Sequence, residues 1–72
     1  MLFILKIKGT DTIPDFVQIR DKNMTLKAYF RLSQQERSLI KHGFERDAEK
    51  IMKLLDVMEF GKIYKYNPVL SS

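Results

Sequence analysis

Residues 25–32, TLKAYFRL, alternate without a break, with Leu26, Ala28, Phe30 and Leu32 set against Lys27, Tyr29 and Arg31. A period of two places these sets on opposite sides of an extended chain, which fixes a half-buried strand. Such a strand needs an apolar layer over one face and hydrogen-bonded neighbours along its edges, and the rest of the chain is read for what supplies them.

The alternation stops at Ser33-Gln34-Gln35-Glu36, which has the spacing of a capping box. The serine hydroxyl would accept from the backbone N–H three residues on while the glutamate reaches back, so a helix is expected from about Gln34. Through residues 34–59, Ile40, Phe44, Ala48, Ile51, Met52, Leu54, Leu55 and Met58 fall on one stripe at helical spacing, wide enough to cover a small sheet. A glycine after a basic turn is a common helix stop. His42-Gly43 therefore leaves two helices open, but the stripe stays in phase across it, which favours one long helix, bent at Gly43. Met52 and Met58 lie in that stripe and read as core gap-fillers.

Residues 2–8 read as a first strand, with Phe3, Leu5 and Ile7 inward and Leu2, Ile4, Lys6 and Lys8 outward; apolar residues on both faces mark it as central. The segment GTDTIPD is a turn, and FVQIR gives a second strand with Val17 and Ile19 inward. The polar tip Asp21-Lys22-Asn23 joins it to the 25–32 strand as an antiparallel hairpin. Gly61 is read as the helix stop and residues 62–66 as a last strand of undecided orientation, ended by Asn67-Pro68. The expected fold is a small two-layer α+β sandwich of order β-β-β-α-β, one domain over residues 1–72 with a loose tail at 68–72.

Composition narrows what this fold can do. A 72-residue chain buries only roughly 60% of its unfolded surface, which leaves little room for an enclosed active site. Hydrophobic residues at 44% and charged residues at 31% argue against disorder. With no cysteine there is neither a disulfide framework nor a thiolate metal site, which fits a cytoplasmic setting. The five-residue apolar start is far short of the roughly 20 residues of a spanning helix and lacks the flanks of a signal peptide, so no membrane role is expected.

Catalysis is not expected. His42 is the only histidine, and the serines able to partner it, Ser33 and Ser38, include one read as a cap. His42, Glu45 and Glu49 share a helical spacing but read as a solvated face, since a carboxylate metal centre needs several such contributions. The three glycines stand apart, so no phosphate-binding loop exists, and no cofactor is expected.

The net charge of +4 is concentrated in the strand-forming half. With the apolar sets turned to the helix, the other sheet face carries bases and rings, and Lys6, Phe16, Arg20, Lys27, Tyr29 and Arg31 are the candidate partner-binding residues. Lys62, Tyr64 and Tyr66 would join them if Ile63 faces the helix. Leu2, Ile4, Phe16 and Tyr29 would form an apolar patch at one end, unless residues 9–15 or Val69 and Leu70 fold over it. The leading expectation is a non-catalytic binding or regulatory protein that docks on a protein partner with an acidic surface, or on a second copy of itself. The alternative is single-stranded nucleic-acid binding by the same face, rings stacking on bases and cations following phosphates. A solvated face guarded by lysines would look similar in sequence.

Two partial resemblances add little. YFRLSQQERSLIK after strands resembles the sheet-then-helix arrangement of small single-strand-binding transcriptional coactivators, which place four strands before the helix. MEFGKIYKYNP resembles the end of small phycobilisome linker domains, whose helical segment is shorter. Neither transfers an activity or a site residue.

Overall fold

A computed structural model describes residues 1–68. Three strands come first: β1 (Leu2–Ile7), β2 (Phe16–Arg20) and β3 (Leu26–Arg31). Two helices, α1 (Gln35–Lys41) and α2 (Ala48–Val57), each preceded by a 3-10 turn, lead to β4 (Ile63–Tyr66). The four strands form one antiparallel sheet in the order β3-β2-β1-β4, so β1 is central and the chain returns after the helices to pair along its free edge. The expected α+β class and element order hold, with the helical segment divided in two.

The division is made by the backbone at Gly43. Its φ of +86° lies in the left-handed region that a side chain disfavours. There the Gly43 N–H donates to the Ile40 carbonyl (3.1 Å) and the Phe44 N–H to the Leu39 carbonyl (2.8 Å), the paired bonds that close a helix on a glycine. Phe44 then packs against the core. The single bent helix is thus replaced by two short ones. The break also resets the phase: Leu39, outside the expected stripe, is fully buried, whereas Ile40 within it is 46% exposed.

The expected capping box does not form. Ser33 lies in the 3-10 turn Leu32–Gln34, and α1 begins at Gln35 with no side-chain cap. The turn is anchored instead by the Leu32 N–H on the Asp15 carbonyl (2.9 Å) and by Gln35 Nε2 on the Leu32 carbonyl (3.1 Å). The 2–3 hairpin forms as expected. Its tip is organised by the Asp21 carboxylate, which accepts from the backbone N–H groups of Asn23 (2.8 Å) and Thr25 (3.0 Å).

The largest correction concerns β1, whose inward and outward sets are reversed. Leu2, Ile4 and Lys6 point to the helices, while Phe3, Leu5 and Ile7 take the other side. The cause is cross-strand pairing. In β2, Val17 and Ile19 are plainly the apolar set, and β1 sets Ile4 opposite Ile19 and Lys6 opposite Val17, so β2 imposes its parity on a neighbour that is apolar on both faces. The core then joins Leu2, Ile4, Val17, Ile19, Ala28 and Phe30 of the sheet to Leu39, Ala48, Ile51, Leu55 and Met58 of the helical layer.

Lys6 enters this core without disrupting it. Its stem is buried, and its ammonium donates to the Leu55 carbonyl (2.7 Å) and lies 4.4 Å from the centre of the Phe60 ring. Leu55 is in the last turn of α2, where carbonyls lack intrahelical donors and the helix dipole favours a cation. In β4, Ile63 lies opposite Leu5 on the outer side, and Tyr64 and Tyr66 pack against the core. The Tyr66 hydroxyl donates to the buried Asp47 carboxylate (3.0 Å); burial first, and this carboxylate second, push the phenol up to about 12.

Candidate functional site

Both helices pack on one side of the sheet, and no described element covers the other. Strand pairing arranges the uncovered face in three rows: Lys65, Phe3, Arg20 and Leu26; then Ile63, Leu5, Gln18 and Tyr29; then Ile7, Phe16 and Arg31. Phe3, Leu5 and Ile7 thus run as an apolar line along β1, flanked by Ile63 and Phe16 with Gln18 beside Leu5, and the cations stand in the two end rows. No residue of these rows is acidic.

Several contacts hold this face in shape. The Phe16 and Tyr29 rings stack with centroids 4.9 Å apart and planes inclined by 21°, a diagonal pair across the β2–β3 ladder. Arg20 is held at one end by its guanidinium donating to the carbonyl of Met24 (3.0 Å), a residue with a φ of +63° in the hairpin turn. Beside Arg20, a cavity of about 40 Å³ is lined by Phe3, Leu5, Gln18, Met24 and Ile63. Phe3, Leu5, Ile7 and Phe16 are half-buried by their neighbours, while Tyr29 and Ile63 stand 50% and 58% exposed.

Of the six sequence-derived candidates, Phe16, Arg20, Tyr29 and Arg31 lie together on this face. Lys27 sits at the irregularity in the β2–β3 ladder, with its ammonium 3.7 Å from the Asp21 carboxylate. That carboxylate is held below its ordinary range, first by the Thr25 backbone N–H and then by Asn23 and Lys27. Lys6 is a correction: it lies under the helices, bonded to α2, and cannot reach a partner on the open side. The expected patch of Leu2, Ile4, Phe16 and Tyr29 does not exist either, because Leu2 and Ile4 are core. Tyr64 and Tyr66 are likewise on the helix side.

The sequence reading missed Phe3, Leu5, Ile7, Ile63 and Lys65, and it turned Leu26 inward, whereas the irregularity at Lys27 sets Leu26 opposite Arg20, 46% exposed and outside the core. Only the register with β2 identifies the first three, since nothing in 2–8 itself breaks the tie between the two faces. The 9–15 loop closes on itself, the Gly9 N–H donating to the Asp15 carboxylate (2.7 Å) and the Thr10 N–H to the Ile13 carbonyl (2.8 Å). Val69 and Leu70, the other expected cover, lie outside the described residues.

The helix break separates His42, at the end of α1, from Glu45 and Glu49 in the next helical segment. Among the described residues, no group of three histidine, cysteine or acidic side chains is placed to hold a metal ion. No described helix is long and apolar enough to cross a membrane. No protein-family model, curated protein or solved structure matches this chain.

Proposed function

We propose that this chain is a small non-catalytic binding protein whose open sheet face docks on a protein partner with an acidic margin. One observation supports the reading above others: an uncovered apolar group of Phe3, Leu5 and Ile7 along β1 with Ile63 beside it, bounded by Arg20, Arg31 and Lys65, with no carboxylate in its rows. Apolar side chains gathered on one face of so small a domain gain free energy when a second surface excludes water from them. The cations add long-range attraction and select against basic partners. A second copy of this chain set face to face would bring like charges together, so the partner is a different molecule.

Nucleic-acid binding is the second reading, and the Phe16–Tyr29 stack beside Arg31 is what favours it. Leu5, Ile7 and Ile63 weigh against it, because aliphatic side chains offer bases no ring to stack on. The two readings separate by salt. Neutralising about five phosphates gives a log–log affinity slope near −3.5 on single strands, whereas a largely apolar protein interface responds much less.

The test is recovery of bound protein from native cells with a tagged chain, comparing wild type with Tyr29→Ala and Leu5→Arg. The reading expects each substitution to cost more than about 1 kcal/mol of binding, or at least about fivefold in affinity, while Tyr29→Ala leaves thermal unfolding nearly unchanged. Undiminished recovery by both variants, or tight salt-steep binding of single strands by the wild type, would refute it.

A further inference from the structure

We infer that the partner segment seated on the open face is an α-helix of about three to four turns, carrying an apolar stripe flanked by carboxylates. The inference rests on the docking reading and adds the conformation and charge of the occupant.

The backbone excludes the main competitor on this face. Inner strands β1 and β2 are paired on both sides, so the face offers an incoming segment only side chains. Among the described residues, the outer edges of β3 and β4 have no strand partner, and they lie to either side of the Phe3, Leu5 and Ile7 line. An extended segment laid over Phe3, Leu5 and Phe16 would bury its own N–H and C=O groups without partners. A helix has already satisfied these groups internally.

Dimensions agree. The longest strands have six residues. At roughly 3.3 Å per residue and 4.8 Å between strands, the face measures about 20 by 14 Å before side chains are added. One helix, about 10–12 Å wide with its side chains, covers most of that width where two would not fit, and about 13 residues cover the length. The footprint is below the roughly 800 Å² per partner of a standard stable interface, so the complex is reversible and a permanent dimer through this face is not expected.

Charge sets the flanks of the helix. Lys65 and Arg20 stand on either side of Phe3 at one end of the face, and Arg31 stands beside Phe16 at the other. A seated helix therefore needs acidic residues at both ends of its stripe. With α1 and α2 already on the opposite side, the complex would be a three-layer arrangement, the setting in which a central strand is apolar on both faces, as β1 is.

Three synthetic peptides of about 13 residues test this. Two are locked helical by side-chain lactams and share a leucine stripe, one flanked by Glu and the other by Lys; the third is the Glu sequence without lactams and with a central proline. Amide NMR titration of the labelled chain should show the Glu helix shifting Phe3, Leu5, Gln18 and Ile63. It should bind at least tenfold tighter than either other peptide, and an Arg20→Glu, Arg31→Glu double variant should reverse the Glu-over-Lys preference. Equal binding of the proline peptide, shifts confined to the β3 or β4 edge, or no saturable binding would overturn the inference. A photo-crosslinking residue in place of Tyr29, used in native cells, separates the two levels. A protein adduct without binding of the Glu helix sinks the helical occupant alone, whereas nucleic-acid adducts without protein adducts sink the docking reading and the inference with it.

Discussion

Lys6→Met isolates a buried charge from the packing around it. Methionine keeps most of the apolar stem while removing the ammonium that donates to the Leu55 carbonyl at 2.7 Å and lies 4.4 Å from the Phe60 ring centre. Two effects oppose each other. Folding no longer has to strip water from an ammonium, and replacing buried charges by apolar groups is often neutral or stabilising. Against that, the charged hydrogen bond contributes about 1.5–3 kcal/mol, the ring contact about 0.5–1, and the cation at the helix C-terminus about 0.3–1. The last turn of α2 would also be left with a carbonyl deprived of its donor. We expect the bonds to win by about 1.5 kcal/mol, which lowers the Tm of a domain this size by about 6–12 °C. Lys6→Ala removes roughly three buried methylenes as well, adding about 2.4 kcal/mol. Its total of about 4 kcal/mol is comparable to the whole stability of a marginal chain of this length, so that variant should be largely unfolded at 37 °C, about physiological temperature. Thermal unfolding by circular dichroism reads both. If Lys6→Met melts at or above the wild-type temperature, desolvation dominates and the account of Lys6 as the polar anchor of α2 is wrong.

Two further predictions follow from local geometry. A Cβ on Gly9 would overlap the Ile13 carbonyl oxygen and come within 2.6 Å of the Pro14 backbone, so Gly9→Ala should cost at least about 2 kcal/mol in urea unfolding; an unchanged midpoint would mean that the 9–15 loop shifts freely. Tyr66 stays protonated in the folded chain to about 12, whereas an unfolded tyrosine ionises near its ordinary 10. Its contribution is thus complete below about pH 10 and is lost as pH rises from there toward 12, because only the unfolded chain releases the proton in that window. Tyr66→Phe should flatten this alkaline decline and remove the latest-titrating fraction of tyrosinate absorbance; identical alkaline profiles would contradict the Asp47 pairing.

How far each strand could be read from sequence depended on how unequal its two sides are. In β3, Ala28 and Phe30 oppose Lys27, Tyr29 and Arg31, and in β2, Val17 and Ile19 oppose Gln18 and Arg20, so both strands and the four site residues on them were legible; only Leu26 was misplaced, because alternation does not register the bulge that turns it out opposite Arg20. The helical segment was half legible. The stripe predicted buried Ile51, Leu55 and Met58, but carrying its phase through Gly43 chose Ile40 over Leu39, because a side-chain pattern does not register a backbone turn closed by its own hydrogen bonds. In β1 the alternation gave no usable difference, and Lys6 and Lys8 pointed the wrong way, since a lysine stem buries well when its ammonium finds a carbonyl.

That failure has a physical content of its own. A strand that needs only one apolar side has no use for Phe3, Leu5 and Ile7 opposite Leu2 and Ile4, and leaving them half in water forgoes the free energy their burial would give. The same sheet sets Ile63 beside Leu5 and Phe16 beside Ile7, so the surplus is gathered into one surface and is not scattered. The ambiguity that defeated the reading of β1 and the proposed docking surface therefore have one origin, a central strand composed for cover on both sides in a chain whose described residues supply cover on one. Polar substitution tests this directly. If Leu5→Gln and Ile63→Thr leave stability within about 0.5 kcal/mol of wild type, as surface changes do, these side chains contribute little to folding and their apolarity is left for a partner to use. A loss of 2 kcal/mol or more, on the order of a core truncation, would instead make this face part of the folding core and remove the argument for an occupant.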